Sequence, residues 1–326
     1  MANEFGLSYG AVRTRLKTLK SKGISTPTFD YKKDRPTKPL PKPEKTFDEL
    51  YEEFNKLIGK TVDRPPTPKT KKGTQKRKVV IADPHNPFID KEKFAHFIAC
   101  EKGKADECIV AGDIDDNYAL SRFVKTKQVP AVDSLTQVDW FLHILSESFS
   151  EVNLIGGNHD KMRILKYFQS HNIPIEIIEQ YVKLNYMEVI AKRYDNVKMT
   201  GTKVDLPNIG ELFHFCLVGK DCVVGHWESY SKVNLRASEN CFLWYHQWQS
   251  TLKLPDIRLL LQGHTHQLGS RAVWGDKMYG ETGCLCQVQE YTIDGRVGYT
   301  PPQRGYWAII QNDGITDFKQ TRFYPL

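Results

Sequence analysis

From Val79 onward, short aliphatic runs recur, and each stops at a glycine, a histidine or a carboxylate. Val79-Val80-Ile81-Ala82 ends at Asp83-Pro84-His85, and Cys108-Ile109-Val110-Ala111 ends at Gly112-Asp113-Ile114-Asp115-Asp116. Val152-Asn153-Leu154-Ile155 ends at Gly156-Gly157-Asn158-His159-Asp160, and Asp221-Cys222-Val223-Val224 at Gly225-His226. Leu259-Leu260-Leu261-Gln262 ends at Gly263-His264-Thr265-His266. Short apolar runs without polar alternation predict parallel strands buried on both faces. Helical patterns fill the early gaps, from Lys91 to Glu101 and from Asp133 to Ser148. The order predicts an α/β fold, in which ligands bind beyond the carboxyl ends of strands. Five polar clusters are therefore expected to converge on one edge.

Ahead of Val79 the pattern is different. Ser8 is placed to N-cap a helix running to about Lys22, with Val12, Leu16 and Leu19 on one face and Gly23 as its stop. Residues 25–45 form a Pro/Lys/Thr linker, extended rather than packed. Thr46 and Glu49 make a capping box ahead of an amphipathic helix at 46–60, striped by Phe47, Leu50, Tyr51, Phe54, Leu57 and Ile58. That stripe must be buried, on the body of the protein or on a second subunit. A second linker, 61–78, holds Pro65, Pro66 and Pro68 and a basic run from Lys69 to Lys78. The expected organisation is a basic helix at 1–24, basic Pro-rich linkers with one helix at 25–78, and a body at 79–326.

Composition narrows the class. The 326 residues are 40% hydrophobic and 26% charged, with a mean hydropathy of −0.49, which excludes a wholly disordered, collagenous or membrane-embedded chain. No apolar run approaches the ~20 residues of a membrane span, and no signal-peptide core is evident. Seven cysteines, an odd number, argue against a secreted disulfide framework and for reduced thiols in a cytoplasm. Charge is divided unevenly. Residues 1–78 hold 20 Lys/Arg against 9 Asp/Glu, a net +11, and 8 of the 17 prolines; the remainder nets −4. Basic runs are often merely solvated, but such a run is also able to hold a polyanion through salt-sensitive contacts.

Five of the ten histidines fall in the strand-end clusters, with Asp83, Asp113 and Asn158 beside them. Mixed imidazole, carboxylate and amide donors suit a borderline or hard divalent ion such as Mn, Fe or Zn, and argue against a thiolate site. One Asp-x-His alone would be a satisfied core or surface pair. Five clusters in this order point to a metal centre.

The ordered set Asp-x-His, Gly-Asp-x-x-Asp, Gly-Asn-His-Asp, Gly-His and Gly-His-Thr-His resembles the calcineurin-like metallophosphoesterase superfamily over residues 79–268. The resemblance implies an α/β fold, a four-layer β-sandwich flanked by helices, with a basic, partly extended amino-terminal region ahead of it. Ser121-Arg122-Phe123, Arg163, Gly283-Cys284-Leu285-Cys286, Gly295-Arg296 and Gln303-Arg304-Gly305-Tyr306 are similar to phrases in phage and bacterial DNA-repair-exonuclease-like members. Those members often carry an amino-terminal helix-turn-helix. Here Phe5-Gly6-Leu7-Ser8 and Val12 to Leu16 resemble its turn and recognition helix, but only five residues precede Gly6. DNA reading and a solvated or partner-docking helix both stay open for this segment.

Residue by residue, the resemblance implies a first metal on Asp83, His85, Asp113 and His266, and a second on Asp113, Asn158, His226 and His264. Manganese is expected, with iron, zinc or magnesium as alternatives. It further implies that two divalent ions about 3.5–4 Å apart activate a bridging water for in-line attack on phosphorus. His159 would protonate or steady the leaving alkoxide, and Asp160 would orient its imidazole. Asp116, and also Asp115 unless it is a plain turn residue, would accept from a ligating histidine. Arg163 is either a phosphate clamp or a helix-surface arginine.

Other conspicuous features are left to structure. Cys284 and Cys286 lack a second thiolate pair, and Cys241 to Trp248 suits core or interface better than base stacking. His96, His143, His171, His214 and His246 lie outside the signature, while Lys232 and Arg236 either line the cleft mouth or are solvated. The functional expectation is a metal-dependent phosphodiesterase, a DNA nuclease whose basic region holds the strand, with no membrane association and with a homodimer open. A phosphodiesterase or phosphatase acting on small cyclic or signalling nucleotides is the alternative enzyme. A non-catalytic DNA- or partner-binding protein is the alternative from another class.

Overall fold

The computed structural model describes residues 42–60, 75–121, 128–174, 177, 186–207, 209–273, 275–288 and 301–326. The helix expected over 8–22 and most of both proline-rich linkers lie outside the described residues. The elements run α1 (Phe47–Lys60), β1 (Gln75–Ile81), α2 (Lys91–Glu101), β2 (Glu107–Ala111), α3 (Ala131–Ser148), β3 (Val152–Ile155), α4 (Met162–Ser170), α5 (Tyr186–Ala191) and β4 (Val197–Met199). There follow β5 (Thr202–Lys203), β6 (Glu211–Leu212), β7 (Phe215–Val218), β8 (Cys222–Gly225), α6 (Arg236–Gln249), β9 (Leu259–Gln262) and β10 (Leu268–Val273). The chain ends with β11 (Lys277–Thr282), β12 (Gly305–Asn312), β13 (Ile315–Thr316) and β14 (Arg322–Pro325).

The strands form two main sheets, as the expected β-sandwich requires. The first runs β13-β12-β1-β2-β3-β4 with β14 also on β12, and β1 to β4 are parallel. The second runs β10-β11-β9-β8-β7, with β8, β9 and β11 parallel. Successive strand residues face opposite ways, and that two-residue period builds the layers. Val79, Ile81, Cys108, Val110, Val152 and Leu154 face a core shared with α1, α2, α3 and α5. Their neighbours Val80, Ala82, Ile109, Ala111 and Ile155, with Trp307 of β12, face the other sheet, meeting Cys222, Val224, Leu259 and Leu261. On the outer face of the second sheet, Val223 and Leu260 pack against Phe242 and Tyr245 of α6. The result is helices, sheet, sheet, helix: the expected four layers.

The capping box forms as expected. Thr46 N donates to Glu49 Oε2 at 2.7 Å and Glu49 N to Thr46 Oγ1 at 3.3 Å. The apolar stripe of α1 packs on the chain's own body, with Leu50 and Phe54 buried and Phe47, Tyr51, Leu57 and Ile58 half-buried against the same core. Phe54 is fully buried, its ring 5.0 Å from Phe94 and 5.2 Å from Trp140. Phe54→Ala is expected to destabilise the protein by about 3–5 kcal/mol in a denaturant titration, the usual cost of emptying a buried aromatic site. A loss below about 1 kcal/mol would show that α1 is dispensable to the core.

β1 starts four residues earlier than the hydrophobic pattern suggested. Gln75 to Lys78, read from sequence as the end of a basic linker, pair with Asn312 to Ile309 of β12. Arg77 hid the strand because a charge argues for exposure. It is in fact buried in a two-pronged pair with Glu101, at 2.8 and 2.7 Å, which supplies the partner that buried charges need.

Candidate metal centre

The five strand-end clusters meet at one end of the sandwich, three from the first sheet and two from the second. Tight reversals after the strands make this possible. Asp83, His85, Asp113, His264 and His266 all have positive φ, between 46° and 79°. Non-glycine residues in this left-handed region cost about 1–3 kcal/mol each, and such strain accumulates at functional sites. Glycine serves where even Cβ is excluded: one on Gly112 would overlap the His226 ring, and one on Gly157 would overlap Asp113.

The side chains converge closely. His85 Nε2 lies 3.1 Å from His266 Nε2, 3.7 Å from Asp113 Oδ2 and 3.9 Å from Asp83 Oδ1. His226 Nε2 is 3.0 Å from Asp83 Oδ1 and 3.4 Å from Asp113 Oδ2. His264 N donates to Asp83 Oδ2 at 3.0 Å, and His266 Nε2 is 3.6 Å from Asp83 Oδ1. The potential ligand atoms of Asp83, His85 and Asp113 lie within 4.8 Å of one another, as do those of Asp113, His226 and His264. Asp113 is common to both groups.

Electrostatics and unmet hydrogen bonding show that these residues fit divalent ions. Burial alone would raise the Asp83 and Asp113 carboxyls, but neighbouring imidazoles hold both well below the usual carboxylate range. Burial would likewise strip His226 and His266 of their protons, yet the facing carboxylates push His266 up to about 9 and His226 well above its ordinary value. Burial dominates at His264, which falls to about 4. Protons thus stand where cations would bind, and metal binding would release them. Among the described residues, Asn158 Oδ1, His226 Nδ1 and His264 Nδ1 are buried with no hydrogen-bond partner. Buried polar atoms rarely go unpaired, and a metal gives Asn158 Oδ1 and His264 Nδ1 a use.

Around His159 the structure corrects the sequence reading. Asp160 does not orient its imidazole. Its carboxylate accepts from Gly157 N at 2.9 Å, Asp115 N at 3.0 Å and Ile114 N at 3.3 Å, bracing the two loops against each other. Burial, with Asp113 nearby, pushes Asp160 up to about 7. Asp116 holds His159 instead, with Oδ1 3.0 Å from Nδ1, and the same oxygen is 2.9 Å from His85 Nδ1. Asp116 Oδ2 accepts from Arg163 at 2.9 Å. Despite its burial Asp116 is kept ionised by these partners, well below the ordinary range. Arg163 is neither a free clamp nor a surface arginine: it is pinned by Asp116 and donates to His159 Nε2 at 3.0 Å. With Asp116 accepting and Arg163 donating, the hydrogen bonds place the His159 proton on Nδ1.

Asp115 is a buried network residue, not an exposed turn. It accepts from Ser134 Oγ, from Asn117 N at 2.8 Å and from Tyr186 OH at 3.2 Å, and burial raises it to about 6. Asn117 in turn donates to the His159 carbonyl at 3.1 Å. Ser134, Tyr186 and Asn117 escaped the sequence reading because nothing local marks them. Cys286, read as structural, lies 3.8 Å from His266 Nδ1 and so borders the site. The strand-end position after β11 was its available signal. Of α6, Cys241, Phe242 and Tyr245 are core, while Leu243 and Trp248 are exposed. His143 packs against Phe47 and Tyr51, and Arg236 is exposed and paired with Glu239.

Glu281, buried at the end of β11, supports the loop bearing His264 and His266 from behind. Burial pushes its carboxyl from about 4.5 up to about 7, against hydrogen bonds from Leu235, Ser238 and Thr265. A carboxyl raised in the folded state stabilises fully below its unfolded value, and that contribution is lost as pH rises through about 7. Melting temperature is expected to decline from pH 5 to pH 8, with a shallower slope in Glu281→Gln. Identical slopes would exclude Glu281 as the source.

A family model for calcineurin-like phosphoesterases matches residues 76–268. Among solved structures, a single-site mutant of Vps29 from Entamoeba histolytica is similar at 14% identity and a TM-score of 0.35, over 77% of this chain and 98% of that one. A metallophosphoesterase from Sphaerobacter thermophilus is similar at 16% identity and a TM-score of 0.35, over 77% and 88%. A search of curated proteins gave no match. No helix among the described residues is long and apolar enough to cross a membrane.

Proposed function

This chain belongs to the calcineurin-like phosphoesterase family, and from that premise we propose that it is a dinuclear, divalent-metal-dependent phosphodiesterase acting on DNA, of the DNA-repair-exonuclease-like kind. One observation carries the dinuclear part: two ligand groups, drawn from segments up to 181 residues apart, share Asp113. Asp83, His85, Asp113 and His266 would hold one ion, and Asp113, Asn158, His226 and His264 the other. Manganese is the ion we expect there, with iron, zinc or magnesium as alternatives that the same nitrogen and oxygen donors accept. When bound, the ions supply an activated water and neutralise charge on the phosphate oxygens.

The chain's own residues then act around the phosphate. Asp116 fixes His85 through Nδ1, which leaves His85 Nε2 facing the ligand group. It also fixes His159, whose Nε2 lies 3.9 Å from Asp113 Oδ2 at the mouth of the site. Arg163 and His159 together face the leaving side, where a guanidinium offsets developing negative charge and an imidazole relays a proton. For His159 to carry a proton on Nε2, Arg163 must turn from it toward the phosphate.

The preference for DNA rests on charge. Residues 1–41 alone hold nine Lys/Arg against three Asp/Glu, while the body from Val79 onward nets −4. The test uses manganese-dependent hydrolysis of bis-p-nitrophenyl phosphate and of linear and circular DNA. Full-length protein is compared with a chain lacking residues 1–41, which keeps α1 and β1. Both chains are expected to cleave the small diester equally. The full-length chain should cut DNA better at low salt, with its advantage shrinking as salt rises. Turnover of the small diester without cleavage of any DNA would reassign the substrate to small nucleotides.

A further inference from the structure

We propose that an aromatic ledge formed by Phe213, His214 and Trp227 beside His226 seats a nucleobase of the strand being cut. The inference rests on the phosphodiesterase reading and adds to it a subsite and a substrate class. The turn between β6 and β7 is stitched directly to the metal-centre loops. Gly156 N donates to the Phe213 carbonyl at 3.0 Å, and His226 N donates to the His214 carbonyl at 2.7 Å. The ledge therefore keeps a set position relative to Asn158 and His226.

Its rings are rigidly backed, with the His214 and Trp227 planes 74° apart. Phe213 is 47% exposed in the turn after β6, where a polar residue would cost nothing. The His214 ring stands 4.9 Å from Phe215, 5.9 Å from Trp227 and 6.1 Å from Trp244, edge to face in each case. Trp227 stacks on buried Phe215 at 5.3 Å and 19°. Lys161, exposed and two residues past His159, is near enough for its charge to help hold the His214 imidazole below its ordinary value, after burial. Flat rings with a cation on one flank, next to a phosphoester site, match a base followed by a phosphate. A substrate without a base would leave the rings uncovered.

Two substrates with one leaving group separate this subsite from the chemistry: thymidine 5′-(p-nitrophenyl phosphate) and methyl p-nitrophenyl phosphate. With manganese and full-length protein, Phe213→Ala is expected to raise KM for the thymidine ester about tenfold, the typical loss of one base–aromatic stack, with kcat little changed. The methyl ester should be unaffected, and Phe213→Trp should restore the thymidine KM. Equal changes for both esters, or no change for either while both turn over, would overturn the ledge and leave the phosphodiesterase reading standing. Turnover of the methyl ester alone by the unmodified protein would also overturn it. If neither ester is hydrolysed, the phosphodiesterase reading fails first and the ledge with it.

Discussion

Asp113→Asn is expected to reduce hydrolysis of bis-p-nitrophenyl phosphate by about 10³-fold or more and to lower metal content at both positions. Asp113 is shared by the two ligand groups. Its Oδ1 accepts from His159 N at 2.8 Å, and an amide oxygen keeps that bond. The amide nitrogen must then take the place of Oδ2, beside His85 and His226, and present hydrogens where a ligand oxygen is needed. Losing several kcal/mol of charge stabilisation corresponds to about three orders of magnitude in rate. Metal analysis and the rate with saturating manganese check it together. A variant that keeps two ions per chain and near-normal turnover would refute the shared role.

The second large effect belongs to Asp116. One carboxylate orients His85, positions His159 and anchors Arg163. Asp116→Ala is expected to weaken metal affinity about 10–100-fold through His85 and to lower kcat about 10²–10⁴-fold through His159. His159→Ala should reproduce the fall in kcat without the loss of metal. The contrast is the check. If Asp116→Ala changes neither metal affinity nor kcat, the hydrogen bonds around it are incidental; if His159→Ala sheds metal, His159 is a ligand and not a leaving-group residue.

Which candidate residues were visible beforehand follows from what each depends on. A ligand at a strand end is announced by its covalent neighbours: the aliphatic run before it and the glycine that permits the turn. Asp83, His85, Asp113, Asn158, His226, His264 and His266 all stand at such strand ends, and their ligand roles are what the family resemblance implies; the structure brings the carboxylates and histidines together and buries Asn158 Oδ1 without a hydrogen-bond partner. The partner of His159 depends on distance in space. The adjacent Asp160 was the natural choice from sequence, but its carboxylate braces Gly157, Ile114 and Asp115, and the imidazole goes to an aspartate 43 residues away. Cys286 and Tyr186 reach the site only because β11 and α5 are packed beside it.

The sequence by itself determined the elements and their polarity. Side chains alternate along a strand and recur every three to four residues along a helix, so buried strands, the capped helix at Thr46 and the ligand-bearing turns are local consequences of local residues. It also determined the chemistry, since imidazole, carboxylate and amide donors at strand ends favour hard or borderline divalent ions over soft ones. Only the tertiary structure decided which strands go to which of the two sheets, that α1 packs on the body, that Arg77 is buried against Glu101, and that Asp116 holds His85 and His159. Each of these turns on which surfaces meet across tens to hundreds of residues. That outcome is set by packing and by the pairing of buried charges, which no window of sequence contains.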